Sequence, residues 1–194
     1  ARWDAEAYFD RGIVDKLGRL GVLGMLLPEE YDGLGLDTVT YLLALEEISA
    51  ADASTGVLMS VHNSLPTQMI LRYGSDEQKR RFLPGMARGE LLGAFALSEP
   101  DAGSDVTAMT TTARAVDGGY VIDGRKTWIS NAGIADRYVV FTRFPEAGER
   151  GFAAFVVDAG NPGLCVTERI DVTAPHPLGT VELDGCRVEG DALI

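Results

Sequence analysis

Two polar segments, each following an apolar run, hold the residue types most able to do chemistry in this sequence. The first is Phe95-Ala96-Leu97-Ser98-Glu99-Pro100-Asp101-Ala102-Gly103-Ser104-Asp105, where a strand-like stretch opens into a loop with two serines and three acids. Such a loop gathers backbone N–H groups and hydroxyls into a concave surface suited to a phosphate or the polar edge of a ring. An ordinary strand–loop connection accounts for the same composition equally well. The second segment, Gly124-Arg125-Lys126-Thr127-Trp128-Ile129-Ser130-Asn131-Ala132, sets a tryptophan at a strand end beside hydroxyl and amide groups. A flat indole can cover an aromatic cofactor while hydroxyls bind its edge. Taken alone, this tryptophan fits a core or interface position slightly better.

Other chemistries find less support. Cys165 and Cys186 lack metal-ligand spacing, and His62 and His176 are far apart, so no metal site is expected. The two thiols read as unpaired and reduced. The net charge is −12, and both halves are acidic: 9 Lys+Arg against 14 Asp+Glu up to Leu92, then 8 against 15. That balance excludes a phosphate-backbone partner such as a nucleic acid. A phosphorylated cofactor remains compatible, because backbone N–H groups bind phosphate without net positive charge. No apolar run approaches the roughly 18 residues of a membrane span, and no signal peptide pattern is present. Ala1-Arg2-Trp3-Asp4 reads as the interior of a longer polypeptide.

The elements that must position these segments fall into two groups. Apolar residues 46% of the total describe an ordinary globular chain. Tyr8, Phe9, Ile13, Leu17, Leu20 and Val22 follow a helical stripe within Asp4 to Leu23, which stops before Pro28. Tyr31-Asp32-Gly33-Leu34-Gly35 is a turn. Asp37 caps a helix through Tyr41, Leu45 and Ile48. A long uncharged helical stretch from Ala53 to Tyr73 is bent or broken at Pro66. Ser75-Asp76-Glu77-Gln78 opens another helix, ending at Gly85 or Gly89. After Gly89 the strand candidates are Leu91–Leu97, Thr107–Val116, Tyr120–Ile122, Thr127–Ile129, Tyr138–Phe144, Phe152–Val157 and Thr180–Leu183. Asp117-Gly118-Gly119 and Asp123-Gly124 serve as tight turns. Helices first and strands afterwards predict an α+β chain: an α-helical domain over 1–92 and a β domain over 93–194.

At this point the ordered motifs identify a family. Ala96 to Asp105 and Lys126 to Ala132 resemble the two flavin-contacting signatures of acyl-CoA dehydrogenases. Leu20-Gly21-Val22-Leu23-Gly24, Pro28 to Gly35, and Tyr73-Gly74-Ser75-Asp76-Glu77-Gln78-Lys79 before Phe82-Leu83-Pro84 are similar to that family's helical domain. The resemblance implies an N-terminal α-helical domain, its first helix missing, followed by a middle β-barrel-like domain; the family's C-terminal helical bundle is absent. It implies FAD as cofactor, with Phe95, Ala96, Leu97 and Ser98 along the isoalloxazine ring and Ser98 bonding its pyrimidine edge. Trp128 would cover one side of the ring, Ile129 would lie beside it, and Ser130 would stand near N5. Gly103 and Asp101 would shape the loop, and Ser104 would contact both cofactor and the CoA part of the substrate. Glu99 is expected to shape the loop and not to act as base. Val57 to Thr67 resembles the helix walling the acyl pocket, although core packing suffices for each side chain, and His62 is expected as a satisfied buried or interfacial histidine.

The implied reaction is α,β-dehydrogenation of an acyl-CoA thioester to the trans-2-enoyl-CoA in fatty-acid metabolism. Electrons would pass to an electron-transfer flavoprotein. The catalytic base is expected in the missing bundle, leaving an inactive fragment here and a dimer or tetramer at full length. The location would be bacterial cytoplasm or mitochondrial matrix. A flavin oxidase or monooxygenase of the same fold, or a non-catalytic partner subunit, are the competing readings. One departure from the family pattern stands out: a Met-Gly-x-Arg-Gly-Ser-like stretch is replaced by Asp171-Val172-Thr173-Ala174-Pro175-His176-Pro177-Leu178-Gly179-Thr180. Two prolines fix an extended loop there, with His176 expected as an exposed loop residue.

Overall fold

The computed structural model describes residues 9–145, 148 and 151–194. The chain divides into two units: one runs to Gly93 and includes Asp171–Pro177, the other comprises Ala94–Ile170 and Leu178–Ile194.

In the first unit three of the five described α-helices begin where the sequence supplies a side-chain cap. Helix α1 (Gly12–Arg19) buries Val14 and Leu17. It is shorter than the stripe predicts; of that stripe, residues 4–8 lie outside the described ones, and Gly21 leaves the helix with φ of 76°. Helix α2 (Thr38–Ala51) starts at Asp37, whose carboxylate accepts the Thr40 N–H at 2.9 Å, as expected. The long stretch after it breaks where proline demands. Helix α3 (Ala53–Ser64) ends at Leu65, and Pro66 opens α4 (Pro66–Tyr73), its missing N–H costing nothing in the first turn. Helix α5 (Asp76–Ala87) carries the reciprocal Ser75–Gln78 capping box and ends before Gly89, whose φ is 74°.

In the turn over 31–35, Asp32 itself takes the left-handed conformation at φ 60°. Gly33 is required for another reason: a Cβ there would stand 2.1 Å from the Leu27 carbonyl oxygen. Leu23, Leu27, Leu58, Met59, Ile70, Leu83 and Met86 are fully buried in this unit. His62 joins them as a satisfied core histidine, as expected. Its Nδ1 accepts the Gly93 N–H at 3.1 Å, so its Nε2–H donates to the Met86 carbonyl, also at 3.1 Å. His176 is a correction. The side chain is buried, and its Nδ1–H donates to the Ala174 carbonyl at 2.8 Å, a contact two residues back that the flanking prolines' extended backbone allows.

The second unit is a seven-stranded sheet: β1 (Gly93–Ala96), β2 (Thr112–Val116), β3 (Gly119–Ser130), β4 (Arg137–Arg143), β5 (Phe152–Asp158), β6 (Leu164–Arg169) and β7 (Leu178–Glu189). Its order is β1-β4-β2-β3-β7-β6, with β5 added on β4, and it curls into a half-barrel. Buried Val181, Leu183, Cys186 and Val188 of β7 alternate with exposed Glu182, Asp184, Arg187 and Glu189, and pack with Ile122, Ile129, Tyr138, Val140 and Phe155. Cys165 and Cys186 are both free, and burial pushes the Cys186 thiol up to about 11.

Three strand expectations need correction. Asp117-Gly118 does close a hairpin, β2 to β3, but Asp123-Gly124 does not turn the chain. Here β3 continues and its pairing with β7 slips: Asp184 and Gly185 stand opposite Asp123, whose carboxylate accepts the Gly185 N–H at 2.7 Å. The Asp-Gly signal belongs to a bulge. Residues 107–111, expected as strand, include a short 3₁₀ turn over Val106–Ala108 because Asp105 caps Thr107. Strand β6 was not expected: Cys165, Thr167, Glu168 and Arg169 are exposed, which leaves little apolar alternation to read.

Candidate functional site

Both polar segments belong to the second unit, and the hydrogen bonds join them. Strand β1 delivers Phe95, half-buried with its ring 4.8 Å from that of Phe141, and the buried Ala96. Past its end, Leu97 and Ser98 are half-buried. The Thr127 N–H of β3 donates to the Ser98 carbonyl at 2.9 Å, and the Lys126 ammonium donates to the Leu97 carbonyl at 3.0 Å. The strand end carrying Ser98 and the strand carrying Trp128 therefore form one continuous surface.

Strand β3 is irregular at the residue of greatest interest. Lys126 stands opposite Val181 and Ile129 opposite Gly179, so Thr127 and Trp128 together face Thr180 alone. This is a β-bulge, and Trp128 takes φ of 60° within it. A left-handed conformation is costly for any residue with a Cβ, roughly 1–2 kcal/mol. The indole gains nothing in return from the core: 60% of Trp128 is exposed, while Lys126 and Ile129 on either side are buried. Strained backbone that displays a large aromatic to the outside is the pattern of a recognition surface. Thr127 is buried the other way, its hydroxyl 3.0 Å from that of Thr180, which also donates to Glu168 at 3.0 Å. Beyond the bulge, Ser130 is half-buried opposite Leu178, and Asn131 turns the chain at φ 67°.

Glu99 anchors the first segment's loop. One carboxylate oxygen accepts the Thr110 N–H at 2.6 Å and the Thr110 hydroxyl at 2.8 Å. The other accepts the Thr111 N–H at 2.9 Å and the Lys126 ammonium at 2.8 Å. Burial works against the Glu99 charge, but the donors from Lys126, Thr111 and Thr110 outweigh it and hold the carboxyl at about 2. On Lys126, burial prevails over the attraction of Glu99 and lowers the pKa below that of a free lysine. With both side chains almost wholly inaccessible and 2.8 Å apart, we treat the pair as ionised, since the Glu99 donors leave its charge fully compensated.

Between Glu99 and Thr110 the loop is outward. Ala102 is buried and pairs with Glu99, whereas Asp101, Gly103, Ser104 and Asp105 are exposed. Nothing lies within 4 Å of a Cβ built at Gly103, so this chain's own packing leaves that position open. Arg143 pins the far side, donating from Nε to the Met109 carbonyl at 2.8 Å and from its terminal nitrogen to the Thr107 carbonyl.

The structure thus brings Phe95, Ala96, Leu97 and Ser98 together with Trp128, Ile129 and Ser130. Gly103 and Ser104 sit on the outward part of the loop that Glu99 closes. Sequence reading gave no role to Lys126, Thr110, Thr111 or Arg143. Lys126 stands next to a second cation, Arg125, so the sequence does not single it out, and only the fold shows that it points inward to meet Glu99. The chemistry fits a flat, polar-edged ring: an exposed indole, two serine hydroxyls and backbone groups, with no free inward carboxylate among the described residues of this surface.

Known proteins resemble this chain in both of its units. Residues 1–90 match the acyl-CoA dehydrogenase N-terminal domain, and residues 94–186 match the acyl-CoA dehydrogenase middle domain. The human mitochondrial short-chain specific acyl-CoA dehydrogenase is 43% identical over 197 residues, covering 100% of this chain and 48% of its own length. A chain from a structure of the electron transferring flavoprotein of Acidaminococcus fermentans superposes with a TM-score of 0.94 at 37% identity, over 99% of this chain and 51% of that one. A glutaryl-CoA dehydrogenase from Mycobacterium smegmatis, in complex with FADH2, does so with a TM-score of 0.91 at 34% identity, over 98% and 49%. This chain therefore spans about half the length of the relatives it matches. Two family domains in their order, on the fold that those structures share, make this chain a member of the acyl-CoA dehydrogenase family.

Proposed function

We propose that this chain forms the flavin- and substrate-binding part of an FAD-dependent acyl-CoA dehydrogenase. The observation that carries the reading is the Thr127 N–H to Ser98 carbonyl bond, which makes one surface of the two polar segments and sets the strained, exposed Trp128 beside it. In this reading Phe95 to Ser98 line the ring, with the Ser98 hydroxyl at its pyrimidine edge. Trp128 shields one face from water, the backbone of Ile129 runs beside it, and Ser130 stands by N5. Gly103 and Ser104 present the loop to the cofactor and to the CoA part of the substrate.

Bound FAD would supply the two-electron acceptance that the reaction needs. The chain's own work is to bind and orient that ring and to exclude water from the carbon centre. The α-proton must go to a desolvated carboxylate whose pKa is raised toward neutrality. Glu99 does the opposite: its carboxyl is held at about 2 by donors on both oxygens. We assign it no proton transfer, and no described residue of this surface takes the base's part. The whole enzyme's activity, its electron-transfer flavoprotein partner, its oligomeric state and its location in cytoplasm or mitochondrial matrix belong to the same proposal. Among the described residues no helix is long and apolar enough to cross a membrane.

The test is to express the complete product of the parent gene and add acyl-CoA without oxygen. A yellow protein that bleaches supports the reading. A colourless protein, or a flavin that no acyl thioester reduces, contradicts it.

A further inference from the structure

Burying an ammonium is expensive, and a well-packed apolar residue often does as well or better for stability. Lys126 is nevertheless wholly buried, so its particular contacts matter. They fall on consecutive residues: its ammonium holds the Leu97 carbonyl at 3.0 Å and the Glu99 carboxylate at 2.8 Å, while the Thr127 N–H holds the Ser98 carbonyl between them at 2.9 Å. Two successive residues of β3 thus grip three successive residues of the first segment, and the next residue of β3 is the bulged Trp128. Through the same carboxylate the grip extends to Thr110 and Thr111, which closes the loop bearing Gly103 and Ser104 at both ends.

We propose that Lys126 is a positioning residue, which by holding Leu97 and Glu99 together sets the Ser98 strand end and the Trp128 bulge in the mutual arrangement that flavin binding requires. The proposal deepens the flavin-site reading and rests on it for its purpose. It separates two things the pair could do. A pair that only contributes stability is replaceable by any neutral pair of similar shape. A positioning lysine is not, because no other side chain in the pair donates to the Leu97 carbonyl.

The decisive comparison is between Lys126→Met and the double variant E99Q/K126M. In the double variant no charge is left buried, but the single amide oxygen at 99 accepts from Thr111 or from Thr110 and not from both, so it should melt above Lys126→Met and below the parent, and Thr127 exchange is compared with that of amides elsewhere in the sheet. The Thr127 amide should nonetheless exchange with deuterium at least about tenfold faster than in the parent, since its partner strand end has lost its anchor. FAD affinity of the complete gene product carrying the double substitution should fall by at least about tenfold, for the loss of a preorganised site. Glu99→Gln alone keeps both Lys126 acceptors with its amide oxygen in the Oε1 place, giving up the bond from the Thr110 N–H; it should retain parental protection at Thr127 while lowering stability, and it decides the matter if the double variant does not fold. A double variant with parental Thr127 exchange and parental FAD affinity would overturn the proposal, as would a loosened Thr127 in Glu99→Gln. A complete gene product that binds no FAD overturns the reading of the site instead. The Thr127 amide distinguishes the two failures because it reports without flavin.

Discussion

His62 and Lys126 are both fully inaccessible polar side chains, one in each unit, and they solve burial in opposite ways. His62 bonds two backbone groups, those of Met86 and Gly93, within a regular helix. Lys126 needs a carboxylate partner, and the residue two further on is a tryptophan in a left-handed conformation, turned outward. The contrast teaches that a satisfied buried polar group by itself speaks only of the fold. Function is indicated where such a group supports backbone strain that the core does not repay.

The comparison can be broken at several points. Lys126→Met leaves the Glu99 carboxylate buried without its cation and should cost about 3–5 kcal/mol in denaturant unfolding, with part of it recovered in E99Q/K126M. A single variant as stable as the parent would mean that the pair contributes nothing.

Acid should find the same pair. The Glu99 carboxyl titrates at about 2 in the folded chain against an ordinary 4.5, so the unfolded chain takes up the proton first. Its contribution, up to about 3 kcal/mol, is complete above about pH 4.5 and is lost as pH falls toward 2. Glu99→Gln should flatten that part of the stability curve, and an unchanged acid limb would refute the assignment.

His62→Ala removes the acceptor of the Gly93 N–H and the donor to Met86, and should cost about 2 kcal/mol or somewhat more. Exchange at the Thr127 amide should not change in that variant; a loosened Thr127 would blur the distinction between the two regions.

The smallest stability effect is expected at Trp128→Gly. Relief of the left-handed backbone, roughly 1–2 kcal/mol, is offset by the entropy of glycine, so stability should change by no more than about 1 kcal/mol. FAD binding should nevertheless weaken strongly. A large loss of stability would show that the indole is structural.

The helical unit was largely legible because its signals are local. Asp37, Pro66 and the Ser75–Gln78 box act within one turn, and each stands where the residues predicted. The sheet was less so. Asp123-Gly124 has the composition of a hairpin turn, and only pairing with β7 makes it a bulge. Strand β6 has too few inward apolar residues to announce itself, and His176 is buried against the surface expectation for a loop. The two segments of the candidate site could be named from sequence, through their resemblance to a family's motifs. Their connection could not be, since Lys126 and Glu99 are 27 positions apart and nothing local reveals that they meet.

The reading of the site stands or falls on where the flavin lies. A crystal structure of the complete gene product grown with FAD tests it most directly. The tricyclic ring should lie against the Trp128 indole, with its edge within hydrogen-bonding distance of Ser98 and Ser130. A ring bound elsewhere, with Trp128 still open to solvent, would contradict it.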